Sequence, residues 1–302
     1  MVHRFMPDPK RRRLLGGLAL LPFTTLARAV APVRVPVRVA SLSWAGAQML
    51  VSIGVTPLAL AERDSYPEAG ALPVMPAGVL ELGSHSEPNL ELLAQLKPDL
   101  IVRDDDQSNL DTQLRFIALT HSIDIYDAQR GKPYARAAAE TRRLAAVLNR
   151  EPEATTYLAD VDRQIAECAQ KVAKLNARPA LVVDLYDDGR HLFVYGPNSM
   201  LHDVMTRLGV RNAWRGDTDS GFALLDIEHL ASMHDAQLFY ISHGERDDVA
   251  LRNLSRSLLW RSLPFVAAGR VHPLPGFFTY GASSCAVQFA TGLADGLTVT
   301  HG

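Results

Sequence analysis

Between Tyr134 and about Ala177 two helical blocks follow one another with no strand between them, and strand–helix alternation lies on either side. Apolar residues recur there at spacings of three and four, at Leu144, Val147 and Leu148 and again at Tyr157, Leu158, Val161 and Ile165. That is the repeat of helices that each bury one face. The break falls near Arg150-Glu151-Pro152, because proline opens a helix but does not continue one. An uninterrupted helical span between two α/β regions predicts a connecting spine; a helical hairpin inside one domain is the alternative reading.

The flanks support the spine. In residues 33–130, Val37 to Ala40 predicts a short strand, Trp44 to Ile53 a helix ending at Gly54, and Val55 to Leu60 a second strand. Asn89 to Leu96 is a short helix closed by Lys97-Pro98. Leu100 to Val102 is a buried strand, Leu110 to Thr120 a helix and Ile123 to Tyr126 a strand. Such alternation implies a parallel sheet covered on both faces. After the helices of 131–177, residues 178–302 carry strands at Ala180 to Val183, Phe193 to Tyr195 and Gln237 to Ile241. They also carry helices at Asn198 to Leu208 and Ser283 to Leu297. The expected architecture is α/β: two lobes joined by a long helical spine, with a ligand cleft between the lobes.

The N-terminus is a targeting segment and stands apart from the fold. Lys10-Arg11-Arg12-Arg13-Leu14-Leu15 opens a mildly apolar run to Leu26, too short and too interrupted by Gly16, Gly17 and Pro22 to span a membrane. Ala27-Arg28-Ala29 has the small-x-small form of a cleavage site, and the arginine pair resembles a twin-arginine signal over residues 1–29. No cysteine lies near that site, so a free exported protein of the periplasm, cleaved near Ala29, is expected. The leader holds six of the 31 Lys and Arg but one of the 33 acids, so the mature chain is more acidic than the net −2 of the whole. That balance argues against nucleic acid and anionic membrane as partners. Cys168 and Cys285 are the only cysteines. Two do not make a disulfide framework, and both fall in helical segments where buried free thiols are common.

Several strings, in order along the mature chain, are similar to one family. Gly83-Ser84-His85-Ser86-Glu87-Pro88-Asn89-Leu90-Glu91 followed by Lys97-Pro98-Asp99-Leu100 resembles the first-lobe signature of helical-backbone (class III) periplasmic binding proteins. Tyr195-Gly196-Pro197-Asn198-Ser199, Asn212-Ala213-Trp214, Pro264-Phe265-Val266 and Tyr280-Gly281-Ala282 narrow it to the iron(III)-hydroxamate-binding members. The resemblance implies a non-enzymatic subunit of an ABC importer. It would carry a ferric siderophore whose own oxygens wrap the iron, need no cofactor or protein-held metal, act as a monomer and deliver its cargo to an inner-membrane permease.

The resemblance also implies site residues. Trp44, Phe278 and Tyr280 stand at the places of aromatic wall residues, and Ser220 stands near a further one. The family arginine and tyrosine fall on His85 and Gln107, which are expected to replace them as polar ligand contacts. Arginine is a permanent cation and histidine is not. Beside Asp104-Asp105-Asp106, the exchange favours a neutral or cationic ferric complex over anionic catecholates or citrates. Glu91 and Glu228 match the acidic residues that dock such proteins onto permease arginines; acids near helix N-termini also simply offset the helix dipole.

Other cargoes stay open on the residues alone. Haem would take Tyr280 or His85 as an axial ligand, and cobalamin is carried by the same fold. Bare metal needs converging ligands, and His85, His191 and His243 show no ligand spacing. An enzyme is disfavoured: Gly281-Ala282-Ser283-Ser284-Cys285 departs from a nucleophile elbow, and no zinc motif is present.

Overall fold

Val39–Ser41 (β1) is buried at all three positions in the computed structural model, which describes residues 37–127, 130–218 and 220–301. The leader and its cleavage site lie outside the described residues. β1 is the centre of a five-stranded sheet completed by Ala59–Leu60 (β2), Leu80–Glu81 (β3), Leu100–Asp104 (β4) and Leu119–Ile123 (β5). The order is β3-β2-β1-β4-β5 and every pairing is parallel. Each crossover turns on its cap. Trp44–Ser52 (α1) starts where Ser43 Oγ accepts the Gly46 N–H at 2.9 Å. Leu90–Leu96 (α2) starts where Asn89 Oδ1 accepts the Leu92 N–H at 2.9 Å, and it ends at Lys97, in the left-handed region at φ 47 ahead of Pro98.

Two expectations shift here. The helix read over Leu110 to Thr120 shrinks to Asp111–Leu114 (α3), and the strand read over Ile123 to Tyr126 lies earlier, as β5. His121 and Ile123 are buried, with half-buried Thr120 before them and Ser122 between them, so this segment follows the two-residue alternation of a strand rather than a helical stripe.

Pro133–Leu148 (α4) and Glu151–Val172 (α5) break at Asn149, which turns at φ 54. Beyond them lies a second five-stranded sheet: Ala180–Leu185 (β6), His191–Tyr195 (β7), Phe222–Asp226 (β8), Gln237–Ile241 (β9) and Val271–Leu274 (β10). Its order is β10-β9-β6-β7-β8, with β6, β9 and β10 parallel and β7 antiparallel to both neighbours. β8 and β10 add to the strands expected from sequence. Pro273 sits in β10, an edge where its missing N–H is tolerated. Met200–Leu208 (α6), Glu245–Arg256 (α7), Leu258–Ser262 (α8), Pro264–Ala267 (α9) and Ser283–His301 (α10) complete the chain.

One buried core runs through both halves, from Val39 and Met49 across Leu144 and Val161 to Phe239 and Phe289. Separating the sheets would expose it, at about 25 cal/mol per Å² of apolar surface. Cys168 in α5 and Cys285 in α10 are both buried and unpaired; burial pushes the Cys285 thiol up to about 12.

Candidate functional site

The C-terminal ends of the first sheet's strands converge on one cleft of about 770 Å³. Leu42 and Trp44 follow β1, Glu62 follows β2, His85 follows β3, Asp104, Asp105 and Asp106 end β4, and Ile123 to Asp127 follow β5. In a parallel α/β sheet the strand ends leave exposed loops and helix N-termini at this edge, which is where ligands lodge. Phe278 and Tyr280, from the segment between β10 and α10, complete the lining.

That segment is fastened to the first sheet's side of the molecule. Tyr126 Oη donates to the Gly281 carbonyl at 2.6 Å, the Ala282 N–H donates to Gln48 Oε1 at 2.6 Å, and Gln288 Nε2 donates to the Gly70 carbonyl at 2.9 Å. Phe278 therefore packs edge-on against Trp44, with ring centroids 4.9 Å apart, in a cluster that includes Tyr66. Although its segment follows β10 in the chain, the Phe278 ring packs with residues of the first sheet. Trp44 is held by its indole N–H on the Ala61 carbonyl at 2.9 Å, which leaves its ring face to the cleft wall. Tyr280 stands between Tyr126, at 5.1 Å, and Phe222, at 6.2 Å, so it is the aromatic link toward the second sheet. Burial, with Asp184 adding, pushes its phenol up to about 12, and the hydroxyl remains a donor.

The polar lining is mostly acidic. Glu62 Oε1 lies 3.0 Å from His85 Nδ1 and accepts the His85 backbone N–H at 3.3 Å. Asp104 accepts Ser43 Oγ–H at 2.7 Å. Burial raises its carboxyl to about 6, against the lowering effect of that hydrogen bond and with Asp106 pushing the same way as burial. Asp124 pairs with Arg136 and, at 3.2 Å, with Arg130, which also reaches Asp127 at 3.1 Å.

A periplasmic binding protein family matches residues 39–276 of the chain. The iron(3+)-hydroxamate-binding protein FhuD of Escherichia coli is 32% identical over 286 residues, which is 94% of this chain and 95% of that protein. The chain belongs to the periplasmic binding protein family. The Fe(3+)-citrate-binding protein YfmC of Bacillus subtilis is 25% identical over 78% of this chain and 72% of its own length. Among solved structures, the siderophore-binding FhuD of Vibrio cholerae, bound to Fe3+-Desferal, superposes with a TM-score of 0.79. It is 23% identical and covers 88% of this chain and 99% of its own, a likeness of fold.

Within this periplasmic binding protein the residues singled out from sequence part company. Trp44, His85, Phe278 and Tyr280 line the cleft; Gln107 and Ser220 do not. Gln107 is buried, and its amide is used by the fold. Oε1 accepts the Asp104 N–H at 2.8 Å and Nε2 donates to the His85 carbonyl at 2.7 Å, so it braces the two loops from behind. Nε2 also reaches the Leu42 carbonyl at 3.4 Å, so the partners of this amide are backbone atoms of the loops. Ser220 is exposed, in the turn ahead of β8. Glu91 and Glu228 are both exposed, the first in the opening turn of α2 after β3, the second in the 3-10 turn of residues 227–232 after β8. Neither forms an ion pair among the described residues. Glu62 and Tyr126 are among the cleft residues that sequence reasoning missed. Neither sits in a recognisable string, and only the pairing of β2 and β5 with their neighbours brings them to the edge.

Proposed function

We propose that this chain captures a ferric siderophore of the hydroxamate type in the cleft and delivers it to an inner-membrane ABC permease. The observation that carries the reading is an aromatic-walled cavity at the strand ends, in a chain 32% identical along nearly its whole length to an iron(3+)-hydroxamate-binding protein. Its volume falls in the usual range for small-molecule sites, ~300–1,000 Å³. The iron arrives already wrapped in the siderophore's oxygens, so the cleft has only to hold the organic shell on Trp44, Phe278 and Tyr280. No group of three or more His, Cys, Asp and Glu among the described residues is placed to hold a metal ion of its own. Carriage without chemistry fits a family of binding proteins. Export through residues 1–29 would place the protein in the periplasm, as a monomer with lobes over 33–130 and 178–302 and connecting helices over 131–177. Glu91 and Glu228 are the docking acids, one on each lobe.

The test is a titration with ferric trihydroxamates followed by tryptophan fluorescence, with saturable quenching expected at a Kd below about 100 μM. Trp44 lines the cleft, whereas Trp214 and Trp260 pack in the second sheet's core. A Trp44→Phe variant should lose most of the quenching and keep the heat of binding by calorimetry. Neither quenching nor heat with any complex in the panel would remove the assignment.

A further inference from the structure

The groups that line the cleft are uneven in what they offer a ligand. Six carboxylates and one imidazole face it, and no lysine or arginine does among the described residues. Asp124 and Asp127 are answered by Arg130 and Arg136. Glu62, Asp104, Asp105 and Asp106 have no lysine or arginine ion pair among the described residues. The hydrogen bonds they accept from Ser43 and Ser122 come from neutral hydroxyls and leave the charge in place.

His85 adds another acceptor. The Glu62 carboxylate can only accept, so in neutral His85 the proton resides on Nδ1, and Nε2 is left with its lone pair. Glu62 is itself fixed at φ 52, in the left-handed region, with its N–H donated to the Gly83 carbonyl at 2.8 Å. The loops after β2, β3 and β4 thus bring acceptors to the cleft, and Trp44, Phe278 and Tyr280 bring aromatic rings. The carboxylates do not converge as a cation-binding cage would require. What satisfies a spread row of acceptors is a group with several donors, a positive charge and no acceptor of its own, which describes a protonated primary amine.

We propose that the cleft selects ferric complexes that carry a protonated amine arm, with the ammonium seated against Glu62, His85 Nε2 and the Asp104–Asp106 turn, and the apolar shell on Trp44, Phe278 and Tyr280. This rests on the siderophore-carrier reading and gives it a charge class. Attraction across a half-enclosed cleft is screened less than on open surface, so the charge registers in affinity.

Three ligands with one iron core separate the two claims. They are a linear ferric trihydroxamate with a free terminal amine, its N-acetyl derivative and its N-succinyl derivative, which step the charge of that arm from positive through neutral to negative. The amine complex is expected to bind at least about tenfold more tightly than the acetylated one, with the succinylated complex weaker again. In a Glu62→Gln/Asp106→Asn variant the ratio between the amine and the acetylated affinities should fall toward one, whatever the absolute Kd of either complex. A thermal melt matching the wild type would show the variant folded. Equal affinities for all three complexes in the wild type, or an unchanged gap in the variant, would overturn the charge selection and leave the carrier function standing. Binding of none of the three would overturn the carrier function and this inference with it.

Discussion

Glu62 holds His85 twice, through a 3.0 Å contact to Nδ1 and a 3.3 Å hydrogen bond from the backbone N–H, so one carboxylate sets both the loop and the ring. The imidazole sits at the rim of the cleft and is about half exposed, with 56% of its side-chain surface accessible. Its exposure suits a polar partner for a ligand better than a packed wall. His85→Ala should therefore weaken binding of an amine-bearing ferric trihydroxamate by about 1–2 kcal/mol, the usual range for a lost polar partner. The melting temperature should barely move, because little apolar surface is lost. Unchanged affinity in a fluorescence titration would place His85 outside the site.

How far a feature is legible in the sequence depends on how much of it rests on long-range pairing. Ser43, Asn89 and Gly209 mark helix ends by local chemistry, and all three occupy those ends. Trp44, His85 and Tyr280 are reached from strings of residues, and they line the cleft together. Gln107 shows the limit of a register argument: position along the chain says which loop a residue is on, not whether its side chain faces the cleft or the core. Phe278 shows another. Chain order assigns it to the second half, but hydrogen bonds from Tyr126 and Gln288 hold its segment against the first. Glu62 is hidden because β2 is two residues long and carries no periodicity of its own.

Asp104 gives a pH signature with a definite sign. Its carboxyl is raised from 3.8 to about 6 in the folded protein, chiefly by burial. Between those values the folded state binds more protons than the unfolded, so stability contributed at this position falls as pH rises through that window. The shift corresponds to at most ~3 kcal/mol. Asn in its place keeps an oxygen for Ser43 and has no charge to bury. Asp104→Asn should be more stable than the wild type at pH 7.5 and show no advantage near pH 3.5, as measured by denaturant melts across the range. A constant difference at every pH would mean that the carboxylate is not the cause. Affinity for an amine-bearing complex should fall in the same variant, so stability and binding move in opposite directions.

Gly276 is where the segment bearing Phe278 leaves the second sheet. A Cβ there would meet the backbone carbonyl oxygen of Ser242 at 2.2 Å, and a backbone atom next to β9 has little room to retreat. Gly276→Ala should push residues 276–281 outward and loosen the Trp44–Phe278 contact. Overpacking of this kind costs about 1–3 kcal/mol. A lower melting temperature together with weaker siderophore binding is expected. A variant that melts and binds like the wild type would show that the segment has slack the contact distances do not suggest.

Glu91 and Glu228 occupy matching places on the two sheets. Glu91 lies in the first turn of the helix after β3, and Glu228 in the turn after β8, which runs antiparallel to β7 and so shares the direction of β6. Each is exposed, and neither has an ion pair among the described residues. Glu91 accepts a 3.3 Å hydrogen bond from Gln95. Two exposed charges at separate sites orient a docking body better than one, and their reversal acts on partner recognition more than on stability. The double variant Glu91→Arg/Glu228→Arg should bind ferric siderophore with wild-type affinity and melt at the wild-type temperature. In cells that depend on this protein for iron, it should abolish siderophore uptake, with either single variant intermediate. Full uptake by the double variant, at equal protein levels, would remove both residues from the permease contact.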